Sequence, residues 1–383
     1  MKIAFLTPEY PHALTTKSGG IGTSIANLGK ALAALGHEIL VIVYGQKEDT
    51  EFMDQEVQVH AVKNIKMKGL SWYFTRKKIQ NRINKLVQEN KIDIVEAPDW
   101  TGITSFMKLQ CPLVIRENGS DTYFCYLDNR KVKWINKLHE RKALKNADGI
   151  ISVSHFTGEL TDALMGLKSD FTVIPNGIDA RLFHKRNIQS SDTLAILYFG
   201  SLIRKKGLLE LPAIFNQVIV QFPNATLKLI GKDVPDIISG NPSTWAMMQP
   251  LFSKEALKQV TYLGGVEYSE IKSHIEDAAV CVFPSFAEAF PVSWLEAMAM
   301  KKAIVASNIG WATEMITDGQ TGFLVHPTDH HDFAAKIVRL LEEPELRFQF
   351  GESARKKIEE DFDNIVIARK SILLYESILN KRK

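Results

Sequence analysis

Short apolar runs rich in Val and Ile alternate with longer amphipathic stretches along the whole chain, and this alternation restricts its fold more than any other feature. The runs fall at 3–7, 39–43, 92–96, 113–116, 149–153 and 171–174, and again at 194–199, 226–230, 260–263, 280–283, 303–306 and 322–325. Helical periodicity fills the intervals, for example at 22–35, 73–89, 208–221, 269–277 and 292–300. Continuous apolar strands joined by helices predict an α/β protein with parallel sheets covered on both faces. The first series ends in the turn Ile174-Pro175-Asn176-Gly177, the stretch 184–193 reads as polar linker, and a fresh series begins at Leu194. A chain of 383 residues exceeds one ordinary core. Two doubly wound domains are therefore expected, at 1–184 and 190–363, with a ligand cleft between them beyond the strand carboxyl ends. The terminal segment 364–383 is expected to pack back on the first domain as a helix.

Charge and cysteine content narrow the function classes. A net charge of +3 gives no argument for a nucleic-acid partner. Cys111, Cys125 and Cys281 show no CxxC spacing and are expected as free or buried thiols. The apolar run before Pro8 is too short for a signal-peptide core, and no stretch reaches the ~18 apolar residues of a spanning helix. The expectation is a cytoplasmic protein, at most peripheral on the inner membrane face. Between 63 and 91 lie nine basic residues and one acid, Glu89, interrupted by Trp72, Tyr73 and Phe74. That pattern suits anionic lipid headgroups, and it equally suits an ordinary solvated helix face. His12, His139 and His155 have no metal-ligand spacing, so no metal site is expected.

The second series carries the densest chemistry. The strand at 280–283 leads into Pro284-Ser285-Phe286-Ala287-Glu288-Ala289-Phe290-Pro291 and then a helix bearing Glu296. Pro291 suits the start of a helix, where its missing N–H is no loss. The amides of Phe290, Val292 and Ser293 would then make an anion site, with Glu288 before it and Glu296 about one turn inside the helix. A diphosphate flanked by hydroxyl-rich groups fits that arrangement. Two glutamates near a helix start are also consistent with a capping charge and a solvated side chain.

The wider pattern resembles the family 4 glycosyltransferases of the GT-B fold, two Rossmann-like domains facing a central cleft. The matching pieces are Ser18-Gly19-Gly20-Ile21-Gly22, the spaced Ala147-Asp148…Ser154, IPNGID at 174–179, FGSLIRKKG at 199–207, the E-x7-E segment PSFAEAFPVSWLEAMA and DGQTGFLVHP at 318–327. All six stand in family order over nearly the full chain. The resemblance implies a retaining transferase using a UDP- or GDP-linked hexose or N-acetylhexosamine, with a glycan or lipid-linked acceptor, in polysaccharide or glycoconjugate synthesis. It places Glu296 on the donor ribose, Glu288 on the donor sugar, Lys206 on the diphosphate, Gly20 in a loop closing over the phosphates, and Val266 where backbone reads the base. No metal or other cofactor is implied.

Three departures bear on that assignment. Ser201 stands where the family usually has a second diphosphate-binding arginine, for which Arg204 or Lys205 is the nearby substitute. Ala289-Phe290-Pro291 replaces the frequent Gly-Phe-Gly and removes one amide donor. Asn118 stands where a catalytic-site histidine is frequent; it can hydrogen-bond a sugar but not move a proton. In retaining enzymes of this fold the leaving phosphate is thought to take the acceptor proton. The changes at Ser201 and Asn118 also motivate an alternative, a catalytically weakened relative that serves as partner of an active transferase. On the acceptor side Asp99 and Trp100 follow the strand at 92–96, with Glu117 and Arg116 as further candidates. Asp99 reads equally well as a helix cap.

Overall fold

In a computed structural model, residues 1–16, 19–183 and 194–382 are described. Ser18 of the glycine-rich loop and the linker stretch 184–193 lie outside the described residues. The chain divides into two compact units, Met1–Asp179 with Phe362–Lys383, and Ala180–Asp361.

The first unit holds eight strands: β1 (Lys2–Thr7), β2 (Glu38–Gln46), β3 (Thr50–Asp54), β4 (Val57–Lys63), β5 (Ile94–Pro98), β6 (Leu113–Glu117), β7 (Gly149–Ser152) and β8 (Phe171–Val173). Their order is β3-β4-β2-β1-β5-β6-β7-β8, parallel except for the β3–β4 hairpin. Alternate residues of β1 feed opposite faces, as the two-residue period requires. Ile3 and Phe5 pack with Ile25 and Leu32 of the helix Gly20–Ala34 and with Ile367 and Tyr375 of the helix Asn364–Lys381. Ala4 and Leu6 pack on the other face with Ile79, Ile83 and Leu86 of the helix Ser71–Gln88.

A buried polar network ties the last helix to this sheet. The Arg116 guanidinium donates to Glu96 at 2.8 and 3.2 Å and to the carbonyl of Ile174 at 2.9 Å, and the Tyr375 hydroxyl donates to Glu96 at 2.6 Å. Arg116 is therefore a buried strut and not an acceptor-side group: its donors are turned into the unit.

The second unit has six strands, all parallel: β9 (Ala195–Phe199), β10 (Thr226–Ile230), β11 (Val260–Tyr262), β12 (Val280–Phe283), β13 (Ala303–Ser307) and β14 (Phe323–Val325). Their order is β11-β10-β9-β12-β13-β14, which reverses direction between β9 and β12. Those two strands pair only at Ile196–Val280 and Leu197–Cys281, so their carboxyl-terminal halves leave the ladder on either side of a gap. Such a switch point is where open parallel sheets bind ligands.

Two expectations are adjusted. The division falls at Asp179/Ala180 and resumes at Phe362, rather than at 184 and 364. Ala180 and Phe183 stay with the second unit because Arg355 donates to both carbonyls and Lys272 sits over the Phe183 ring. The hairpin β3–β4 has no counterpart among the expected strands. Its edge strand alternates between half-buried and exposed residues, so it lacks the continuous apolar run of its neighbours.

Candidate active site

The site in the second unit is assembled from the loops that follow β9 and β12. After β9 the chain makes a short turn over Arg204–Lys206 and ends it at Gly207, with φ 71°. A side chain at Gly207 would place its Cβ 1.8 Å from the carbonyl oxygen of Pro284, so only glycine lets the two loops meet. The Lys205 carbonyl then accepts from the amides of Phe286 (2.8 Å) and Ala287 (3.2 Å). This stitching aims Lys206 at Glu288, Nζ to Oε1 2.7 Å. The Ser285 hydroxyl donates to the same oxygen at 3.3 Å.

Beyond Glu288 the helix Val292–Ala299 begins, with Pro291 as its N-cap rather than its first helical residue. Val292 and Ser293 lie in its first turn, where amides have no intrahelical acceptor by position. Ala289 and Phe290 are buried beside them. Glu296, 5% exposed, accepts at Oε1 from the Tyr268 hydroxyl at 2.6 Å. Burial raises the Glu296 carboxyl to about 7, and the Tyr268 hydrogen bond opposes that rise. Tyr268 opens the helix Tyr268–Asp277, two residues after Val266, in the loop that leaves β11 through Gly264 and Gly265. Four elements thus bring Lys206, Glu288, Glu296, Val266 and Tyr268 to one end of one sheet.

Arg204 lies elsewhere. Its Nε and Nη2 donate to Asp236 at 2.9 and 2.7 Å, a two-pronged pair with a buried carboxylate. The fork needed to clamp a diphosphate is therefore occupied, and Arg204 is a poor stand-in for the arginine absent at Ser201. Asp236 in turn is held well below the usual carboxylate range by Arg204.

In the first unit, Gly19 caps and Gly20 opens the helix Gly20–Ala34. The Glu9 carboxylate accepts from the Gly22 amide at 3.0 Å, occupying part of the helix start that the resemblance assigns to the donor phosphates. Asp99 is fully buried and accepts from the Asn118 amide at 3.1 Å. It makes no side-chain cap on the turn Trp100–Gly102, so the capping alternative fails. Trp100 and Asn118 are half-buried. Glu117 is buried, and burial, helped by the neighbouring Asp99 and opposed by the Ser152 hydroxyl, pushes its carboxyl well above the usual range. Neither Asp99 nor Glu117 offers an oxygen to an acceptor in this conformation.

Burial, helped by Glu140, raises the Asp99 carboxyl to about 8. The folded state then holds a proton that the unfolded chain releases near the ordinary value of about 4. Stability is fully present below that unfolded value and is lost as pH rises toward 8. Asp99→Asn is expected to melt at least about 4 °C above the parent at pH 9 and within about 2 °C of it at pH 5. Scanning calorimetry at both pH values checks this; equal differences at the two would show that Asp99 does not titrate there.

Among the described residues, no group of three or more His, Cys, Asp or Glu is placed to hold a metal ion. The three cysteines are buried and free. His139 meets the Ser105 hydroxyl at 2.6 Å and is lowered to about 4 by burial, so it is neutral near pH 7.

The fold is two α/β units on largely parallel sheets, the second with Lys206, Glu288 and Glu296 gathered at its switch point. The family described as Glycosyltransferase Family 4 matches residues 18–182, and that described as Glycosyl transferases group 1 matches 179–357. The chain belongs to these glycosyltransferases and has their GT-B fold. A glycogen synthase of Mycobacterium tuberculosis is 25% identical over 98% of this chain and 94% of its own. Among solved structures, sucrose-phosphate synthase from Thermosynechococcus elongatus aligns over the whole of both chains with a TM-score of 0.80 at 20% identity. The Anabaena protein HepE in complex with UDP-glucose aligns over 98% of this chain and 100% of its own, with a TM-score of 0.73 at 19% identity.

Proposed function

We propose that this glycosyltransferase moves a hexosyl or N-acetylhexosaminyl group from a UDP- or GDP-sugar to a glycan or lipid-linked acceptor, with retention at the anomeric carbon. The observation that carries the reading is the 2.7 Å contact of Lys206 with Glu288 at the β9/β12 switch point, beside the first-turn amides of a helix. In this reading the diphosphate lies on the amides of Val292 and Ser293 and on the Lys206 ammonium. Glu288 accepts from sugar hydroxyls, and Glu296 accepts from the ribose diol. The bond from the anomeric carbon to the diphosphate oxygen breaks as the acceptor oxygen bonds to the same face. The acceptor proton passes to the departing diphosphate. Lys206 stabilises the charge that grows there, so positioning and electrostatics carry the step and no metal ion is invoked.

The bound nucleotide of HepE agrees with such a donor. Polysaccharide synthesis among the relatives agrees with a glycan acceptor. A cytoplasmic place, with peripheral contact at the inner membrane face, fits a lipid-linked one. No helix among the described residues is long and apolar enough to cross a membrane.

The test is a screen of UDP- and GDP-sugars for a rise in melting temperature, then for nucleotide release with EDTA present. Turnover is expected from at least one donor, and Glu288→Ala should abolish it. Binding without turnover would instead point to a partner protein, and no shift with any donor would overturn the reading. Proton NMR of the product linkage decides retention.

A further inference from the structure

The first unit carries a surface that the donor chemistry does not use. Within 66–91 the basic residues divide sharply. Lys78 pairs with Asp49, Arg82 with Glu51 and Lys91 with Glu89, so the distal half of the helix Ser71–Gln88 is neutralised. Its leading end is different. Lys66, Lys68 and Lys77 are exposed and make no ion pair among the described residues, and Trp72 and Tyr73 stand exposed between them.

A second basic helix meets that end. Trp134–Lys145 and the four residues before it hold seven Lys and Arg and one acid, Glu140, which is buried. Trp134 at its tip is 74% exposed, with Ile135 and Leu138 also open to solvent. The leading end of the first helix meets the middle of the second through aromatic rings: Trp72 lies 5.2 Å from His139 and 6.1 Å from Phe106, and the Lys142 ammonium sits 4.1 Å over the Phe106 ring. Nothing in 130–145 stood out as a partner-binding element in the sequence, because its periodicity is that of an ordinary amphipathic helix.

We infer that these two helix ends form one docking surface for an anionic phospholipid bilayer. A patch of unpaired lysines around exposed indole and aliphatic tips matches the two layers of a membrane interface. The ammonium groups meet lipid phosphates, and the tryptophans enter the headgroup–acyl boundary. A protein partner would have to bring both acid and apolar surface in the same array, and a soluble polyanion would leave Trp134, Ile135 and Leu138 in water. An anionic bilayer supplies both halves in one continuous surface.

The full chain should co-sediment with phosphatidylcholine vesicles containing 30 mol% phosphatidylglycerol at about 0.1 M salt, and release as salt rises. It should not bind pure phosphatidylcholine. Lys131→Glu with Lys133→Glu should weaken partitioning by at least about 25-fold, taking about fivefold for each lysine near the surface. Trp134→Ser with Leu138→Ser should weaken it by about tenfold at unchanged charge. Both pairs should keep the parent melting temperature and donor turnover on a water-soluble acceptor, since they lie outside the donor site. This separates failure of the membrane surface from failure of the donor reading. Absence of binding to anionic vesicles at low salt overturns the proposal. So does binding that the lysine pair abolishes and the Trp134/Leu138 pair leaves unchanged, which would make the patch a polyanion site.

Discussion

Lys206→Ala is expected to lower turnover by about 10²–10³-fold at saturating donor, the usual loss when a preorganised electrostatic stabiliser of a leaving group is removed. Two physical effects add. The diphosphate loses the cation facing it, and Arg204 cannot move in to replace it while both its prongs hold Asp236. The ammonium that meets Glu288 at 2.7 Å is lost as well, so less positive charge offsets that carboxylate beside an incoming anion. Lys206→Arg should restore little, because a flat fork cannot sit as a point charge at the end of the tight Gly207 turn. Initial rates of donor consumption, set beside nucleotide affinity, check this. A loss confined to affinity, with turnover intact at saturation, would remove Lys206 from the chemical step. Equal loss in a variant whose melting temperature has collapsed would say nothing about the step, so calorimetry must accompany the rates.

The parts of this molecule that could be read from sequence are those written in local pattern. Parallel strands covered on both faces are continuous apolar runs, and β9, β12 and β13 stand out for that reason; the half-exposed hairpin β3–β4 does not. Glu288, Glu296 and Lys206 lie in two compact motifs whose spacing survives because strand, turn and helix follow one another directly. What escaped depends on residues far apart in the chain. Asp236 is 32 residues beyond Arg204 and Tyr268 is 28 before Glu296, each supplied by a different loop. Asp99 and Glu117 look like edge-of-strand ligands until the packing of the first unit closes over them, and no local signal announces that burial. Glu9, two residues past β1, reaches the Gly22 amide in a loop to which only the family resemblance gave a phosphate role.

Tyr268 and Glu296 should make nucleotide binding depend on pH. In the proposed reading a ribose diol needs two acceptor positions on Glu296, which only the ionised carboxylate offers in full. With the carboxyl raised to about 7 by burial, affinity for nucleotide should rise about tenfold between pH 6 and pH 8 as the charged form fills. The sign follows from the direction of the shift: a raised carboxyl is protonated at the lower pH, so binding weakens on acidification. Glu296→Gln should flatten the profile and cost about 10- to 100-fold at pH 8, the worth of charge-assisted hydrogen bonds to a buried acceptor. Tyr268→Phe keeps the ring, half of it exposed, and removes only the 2.6 Å donor that favours the ionised carboxylate. The midpoint of binding should therefore move to higher pH, with affinity lower by about fivefold at pH 7 and recovered near pH 9. Calorimetric titration of the nucleotide across this range separates the possibilities. A uniform gain in affinity for Tyr268→Phe at every pH would mean that the hydroxyl competes with the ribose for Glu296 instead of preparing it. A flat parent profile from pH 6 to pH 8 would mean that Glu296 does not carry the diol at all.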